Sequence, residues 1–260
     1  IWLCSPGLGE RQERRARDQF QQVAEQMEQA IASGGGRWLD PEAPDGPAPG
    51  TADLVFIPYV ERMNASLAYF KGFALRTEHP LIDRWLTALE QLDTYRGTQS
   101  DMHTHAHDLP PQMGGCWADG SQAQQRMAHA VDSGAGLDQL ERRWVPAAAP
   151  VSAQERALER VLRHRATLLA RSPLAERFDQ PLRAALSALM LEQPVKPESG
   201  SASALRYLRD RISVPRDMPL ESARSLRQAL ESTAALDGDQ QPEPLPFDHR
   251  FDQDPRPFLS

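Results

Sequence analysis

Cysteine is scarce in this sequence, and its scarcity limits the fold class. The chain contains two cysteines, Cys4 and Cys116, which lie far apart and outside any CxxC spacing. A small disulfide-stabilised domain needs a denser cysteine framework, so that class is excluded. Cysteines without a disulfide pattern suit a reducing compartment, and we therefore expect a cytoplasmic protein.

Long apolar runs and excess positive charge are also missing. No run approaches the roughly 18 apolar residues that cross a bilayer, so we expect no membrane span. The formal net charge is -7 and the pI is about 5.5, which gives no electrostatic support to generic nucleic-acid binding. Hydrophobic residues at 40% and charged residues at 25% are typical of a soluble globular chain of one or two domains.

The start of the chain shows neither a methionine nor a targeting pattern. It reads IWLCSPG from Ile1, which resembles neither a basic signal-peptide start nor an Arg/Ser-rich transit peptide. We interpret the chain as a piece of a longer protein with a segment before Ile1.

What the sequence does have is helical periodicity. Between Glu10 and Ser33, apolar residues recur at helical spacing; they are Ala16, Phe20, Val23, Met27, Ala30 and Ile31. A second helix starts at Thr51 and contains Pro58, which should kink it. Because residues 54–60 are apolar nearly all round, we expect this helix to be central and buried.

Further helices are predicted along the rest of the chain. Pro80 suits the first turn of a helix that carries Trp85 on its apolar face. Segment 97–120 is predicted to be irregular, because it contains two prolines and two glycines as adjacent pairs. Ser152-x-x-Glu155 is a capping box. Helices are predicted around 123–131, 137–144, 153–169, 181–191, 202–213 and 219–230, followed by an extended or disordered Pro-rich tail over 237–260. With no strand pattern, the predicted fold is all-α.

Two motifs connect the first hundred residues to a known family. PGTADLVFIPYVERM places Asp53 in the first turn of a helix, where the family carries an aspartate, with Gly50 in place of the family's serine. HPLIDRWLTALEQLDTYRGT is similar to the family's Pro-x-hydrophobic-x-x-Trp segment and contains Trp85. In these features the chain resembles the all-helical C-terminal domain of glutathione transferases. The resemblance assigns Asp53 and Trp85 structural roles.

A narrower resemblance covers the chain from about Phe20 to Leu230. SLAYFKGFALR, TYRGTQSDMHTHAHDLPPQMGGC and ALRYLRDRISVPRDMPLESARSLRQAL together resemble a little-characterised branch of this superfamily from cyanobacteria and plants. That branch has a helical extension after its transferase-like domain, and it makes the plastid stroma an alternative compartment. The implied organisation is a transferase-like helical bundle over 1–99, a connecting loop over 100–120, a helical extension over 121–236 and a tail over 237–260.

The resemblance implies glutathione conjugation in which this chain supplies only part of the site. In the family, a thioredoxin-like N-terminal domain binds glutathione and carries the catalytic residue, and no such domain is recognisable here. The family's hydrophobic co-substrate pocket maps onto Phe20, Tyr59, Arg62, Met63 and Tyr69. For Phe20 and Met63, packing in the core is the favoured interpretation.

The resemblance also sets expectations for partners. The intact protein would use glutathione and a hydrophobic electrophile as co-substrates, with no cofactor bound by this chain, and a homodimer is implied by the family alone. This chain by itself is expected to be inactive. The alternative is a non-catalytic protein-binding module on a transferase-like fold.

One stretch concentrates metal-ligand residue types. His103, His105 and His107 alternate beside Asp108 and near Cys116. In an extended segment, this spacing would turn all three imidazoles to one face, where zinc could bind. The favoured alternative is that no metal binds, and that the histidines hydrogen-bond backbone carbonyls and pack against the helices.

The segment RYLRDRISVPRD concentrates positive charge. It contains Arg206, Arg209, Arg211 and Arg216. Such a group could bind an anion or a partner protein. The favoured interpretation is a solvated helix face with local ion pairs.

Overall fold

The computed structural model describes residues 2, 8–40, 46, 48–113, 115–135, 137 and 151–237. These residues form eleven α-helices and no strand, which confirms the all-α prediction. The helices are α1 Glu10–Ser33, α2 Thr51–Lys71, α3 Leu75–Glu78, α4 Pro80–Leu89, α5 Asp93–Arg96, α6 Met102–Met113, α7 Gln122–Ser133, α8 Ala153–Arg171, α9 Asp179–Leu191, α10 Ala202–Arg209 and α11 Leu220–Ala235. The chain divides into two compact units, Ile1–Ala128 and His129–Ser260.

In the first unit, α1 buries one narrow stripe. Ala16, Ala24 and Ile31 are buried, and Phe20 packs against the same core with part of its surface. Val23 was predicted to belong to this stripe but is 61% exposed. It lies only about 20° around the helix from buried Ala16, so angular position alone does not predict which residues of α1 its neighbours cover.

Helix α2 is buried along its second half but not along its first. Most residues from 65 to 71 are buried. In the first half, the side that carries Asp53, Ile57 and Val60 faces the core, and the opposite side is exposed. The prediction of a buried helix is therefore wrong for this half. An apolar sequence does not show which sides of a helix its neighbours will cover.

The predicted irregular loop over 97–120 is wrong for Met102–Met113, which forms α6. Asp101 starts this helix, because its Oδ1 accepts the Thr104 backbone N–H at 3.2 Å and the Thr104 hydroxyl at 2.6 Å. The two prolines lie in the last turn, where each lacks the N–H that would donate to the carbonyl four residues earlier, and the helix ends at Met113. The helix packs against α2.

The second unit is built around α11, against which α8, α9 and α10 pack. Its core contains side chains that are 1% exposed or less, among them Phe178, Leu182, Leu205, Leu226 and Leu230. The predicted capping box of α8 is confirmed, since the Glu155 N–H donates to Ser152 Oγ at 3.1 Å and the Ser152 N–H donates to Glu155 Oε2 at 2.9 Å.

Several predictions concern residues that the structure does not describe. Cys4, residues 138–144 of a predicted helix and residues 238–260 of the predicted tail lie outside the described ranges. The domain bounds 1–99, 100–120, 121–236 and 237–260 stay predictions. Among the helices that are described, none is both long and apolar enough to cross a membrane.

Candidate functional site

Asp53 links several segments of the first unit. Its side chain is fully buried, and its Oδ1 accepts the Trp85 indole N–H at 2.6 Å and the Leu39 backbone N–H at 2.7 Å. Its Oδ2 accepts the Gly50 N–H at 2.8 Å, so this half of a capping box persists although Gly50 has no side chain. A buried carboxylate with these donors fixes α2 against α4 and against the segment before α2.

The five residues predicted to line a co-substrate pocket lie in different surroundings. Phe20 and Met63 pack against the core of the first unit. Tyr69 makes an edge-on contact with an imidazole of α6, and Arg62 donates to an α6 glutamine at 2.8 Å. Tyr59 is 66% exposed. Four of the five therefore contact neighbouring elements, and Tyr59 presents most of its surface to solvent.

The exposed side of α2 is strongly apolar. Leu54, Val55, Phe56 and Tyr59 are 51–66% exposed, and we call these four residues the α2 apolar face. They span about 200° of the helix circumference, opposite Ile57. Large apolar side chains grouped on a surface mark sites that bind proteins or apolar ligands. Sequence reasoning selected Tyr59 but assigned the other three residues to the core.

The three histidines of α6 do not point the same way. His103 and His107 lie four residues apart on one side, with ring centroids 4.4 Å apart. His105 lies on the other side, where its Nε2 is 2.7 Å from a Glu61 carboxylate oxygen. The extended geometry behind the predicted three-histidine site is wrong, because a helix turns residues two apart by about 200°. The three imidazoles therefore do not share a face.

Glu61 is the centre of a polar cluster that sequence reasoning missed. In addition to its contact with His105, its carboxylate accepts the Tyr95 hydroxyl at 2.9 Å and the Ser100 N–H at 2.8 Å. Burial and the neighbouring Glu61 charge raise the pKa of Tyr95 well above its usual value, so the phenol remains a donor. The cluster joins α2, α5 and α6. The sequence signal that could have identified Glu61 is its position directly after the apolar run that ends at Val60.

Part of the arginine-rich segment is buried in the second unit. The Arg209 side chain is 7% exposed and donates to Asp210 at 2.7 Å and to Glu231 at 2.5 Å. Arg206 also pairs with Glu231, at 3.0 Å. Burial opposes the charge of Arg209, but the surrounding carboxylates hold the pKa of this guanidinium above its usual value. The predicted solvated face is therefore wrong at Arg209, because α11 lies against it.

The comparisons with known proteins agree with the first unit's fold. Residues 11–88, from α1 to the end of α4, match the family described as glutathione S-transferase, C-terminal domain. Over this segment the resemblance is confirmed, and the segment is helical. No curated protein and no solved structure matches the chain.

Proposed function

We propose that residues 11–88 form the electrophile-binding half of a glutathione transferase. In this arrangement, the α2 apolar face meets a thioredoxin-like domain that binds glutathione, and the two surfaces enclose a hydrophobic co-substrate. The family match supports a glutathione-transferase-like helical fold over these residues. The observation that carries the proposal is the exposure of Leu54, Val55, Phe56 and Tyr59 on one helix of the matched segment.

The helical half supplies binding and orientation, while the nucleophile comes from glutathione. Conjugation requires the glutathione thiolate to attack an electrophilic carbon and displace its leaving group. An apolar wall holds an aromatic electrophile by burying its surface, and the Tyr59 hydroxyl provides a polar group that orients it. Lowering the thiol pKa falls to the other domain, so this chain alone is inactive.

Conjugation of glutathione to a chlorodinitrobenzene tests the proposal. We expect only the uncatalysed rate with the isolated chain, and activity when a thioredoxin-like transferase domain is fused before Ile1. Phe56→Asp should lower the fusion's rate about tenfold or more, because a carboxylate resists burial. Val23→Asp changes a similarly exposed residue of α1 and should leave the rate unchanged. Conjugation catalysed by the isolated chain would contradict the proposed division of roles.

The same face supports a second candidate function, which is non-catalytic docking of a partner protein. Apolar residues of this size, including aromatic ones, are enriched at the centres of protein interfaces. A folded but inactive fusion, together with partner binding that Phe56→Asp abolishes, would favour this candidate over the transferase.

A further inference from the structure

Trp2 packs against two aromatic rings of the first unit. Its ring centroid is 5.6 Å from that of Phe20 and 5.6 Å from that of Phe73. Phe20 and Phe73 are themselves 5.7 Å apart in an edge-on pair. These separations are typical of favourable aromatic contacts. Trp2 is only 7% exposed and packs beside the pair that these two rings form.

The space occupied by Trp2 has a polar end. The indole N–H donates to the Glu13 carboxylate, which also lies 3.0 Å from the Lys71 ammonium. The Lys71 side chain is 3% exposed. A buried ammonium requires a paired carboxylate, so Lys71 keeps Glu13 in place independently of the indole. We call Phe20, Phe73, Glu13 and Lys71 the aromatic slot.

Three of the four slot residues lie in helices, and the occupant Trp2 does not. Phe20 and Glu13 lie in α1, Lys71 ends α2, and Phe73 follows two residues later. Trp2 lies outside every helix and is held by the ring contacts and the indole hydrogen bond. Because the wall residues contact one another without Trp2, the slot can persist when the indole leaves.

We propose that the aromatic slot binds a planar aromatic molecule with an N–H or O–H donor at its ring edge, and that Trp2 is its displaceable internal occupant. The two phenyl rings would bury the ligand's ring, and Glu13 would accept its donor. This site is separate from the α2 apolar face, and its ligand binding needs no glutathione.

Indole is the appropriate probe, because it carries the ring and the donor of Trp2. If the slot is open in roughly 1–10% of molecules, Trp2→Ala should bind indole about 10- to 100-fold more tightly than the unchanged chain, measured by calorimetry. N-methylindole, which has no donor, should bind this variant about tenfold more weakly than indole. Glu13→Gln in the same background should reduce that preference, since a neutral amide accepts more weakly.

Displacement itself is measured on the unchanged sequence by fluorine NMR of fluorinated tryptophan, with Trp2→Phe to assign the signal. We expect the Trp2 signal to move towards its solvent-exposed position as indole is added, while the signal of fully buried Trp85 stays in place. A Trp2 signal that is unchanged up to the solubility limit of indole would overturn the proposal, whatever Trp2→Ala does. Since this titration contains no glutathione and alters no residue of the α2 apolar face, its failure would leave the proposed transferase role untouched.

Discussion

Three carboxylates that connect helices in the two units have different kinds of partner. In the first unit, Asp53 accepts from an indole and from backbone N–H groups, and Glu61 accepts from a phenol and a backbone N–H. In the second unit, Glu231 pairs with Arg206 and Arg209. Removing Asp53 or Glu61 therefore leaves neutral donors unsatisfied, whereas removing Glu231 leaves positive charge without its partner.

Among the substitutions that test this comparison, the largest effect on the free energy of unfolding is expected at Asp53. Asp53→Ala leaves three donors, Trp85 Nε1 and the N–H groups of Leu39 and Gly50, without an acceptor and should lower the free energy of unfolding by about 3–5 kcal/mol. Urea unfolding followed by tryptophan fluorescence measures it, because Trp38 and Trp85 are fully buried in this unit. Asp53→Asn keeps one acceptor oxygen and should have a smaller effect. A loss below about 1 kcal/mol for Asp53→Ala would contradict its linking role.

A smaller effect is expected at Glu231. Glu231→Leu leaves the buried Arg209 with fewer acceptors and should destabilise the second unit by about 2–4 kcal/mol. Adding Arg209→Met should recover part of that loss, because an apolar pair then replaces the ion pair. Urea unfolding followed by circular dichroism gives the free energies of unfolding of both single variants and the double variant. The coupling energy between Glu231 and Arg209 follows from these values. Strictly additive losses would argue against a coupled ion pair.

The smallest effect is expected at Asp237, whose carboxylate accepts the N–H groups of Gly200, Ser201 and Ala202 at the start of α10. Asp237→Asn should lower stability by about 1 kcal/mol at neutral pH. Burial opposes ionisation of Asp237, but these N–H groups hold its pKa below the usual value. A depressed native pKa gives stabilisation that is present above the unfolded pKa of about 4 and is lost as pH falls through the native pKa. The difference between the variant and the unchanged chain should therefore shrink below about pH 4, and a constant difference would contradict the capping role.

The elements that sequence reasoning predicted correctly depend on short-range interactions. The capping box of Ser152 and Glu155 and the periodic apolar positions of α1, α4 and α9 involve residues three or four apart, which a sequence shows directly. The resemblance assigned structural roles to Asp53 and Trp85, but their hydrogen bond was not predicted, since nothing local joins residues so distant in the chain.

The missed elements depend on contacts between distant segments. Helix α6 was predicted as a loop because of its adjacent prolines and the adjacent glycines that follow, and Asp101 was not considered as a helix start. The exposed half of α2 has the same apolar composition as a buried helix, and only the positions of its neighbours distinguish the two. Trp2 belongs to no periodic pattern, so its contacts with Phe20 and Phe73 could not be inferred from spacing.

The central claim is that the α2 apolar face is an exposed binding surface. Hydroxyl-radical footprinting of Phe56 and Tyr59 tests this claim most directly. The isolated chain should be labelled strongly at both residues and weakly at buried Trp85, and fusion to a glutathione-binding domain should protect both while leaving Val23 labelled as before. Weak labelling of Phe56 and Tyr59 in the isolated chain, or equal labelling with and without the fused domain, would contradict the account.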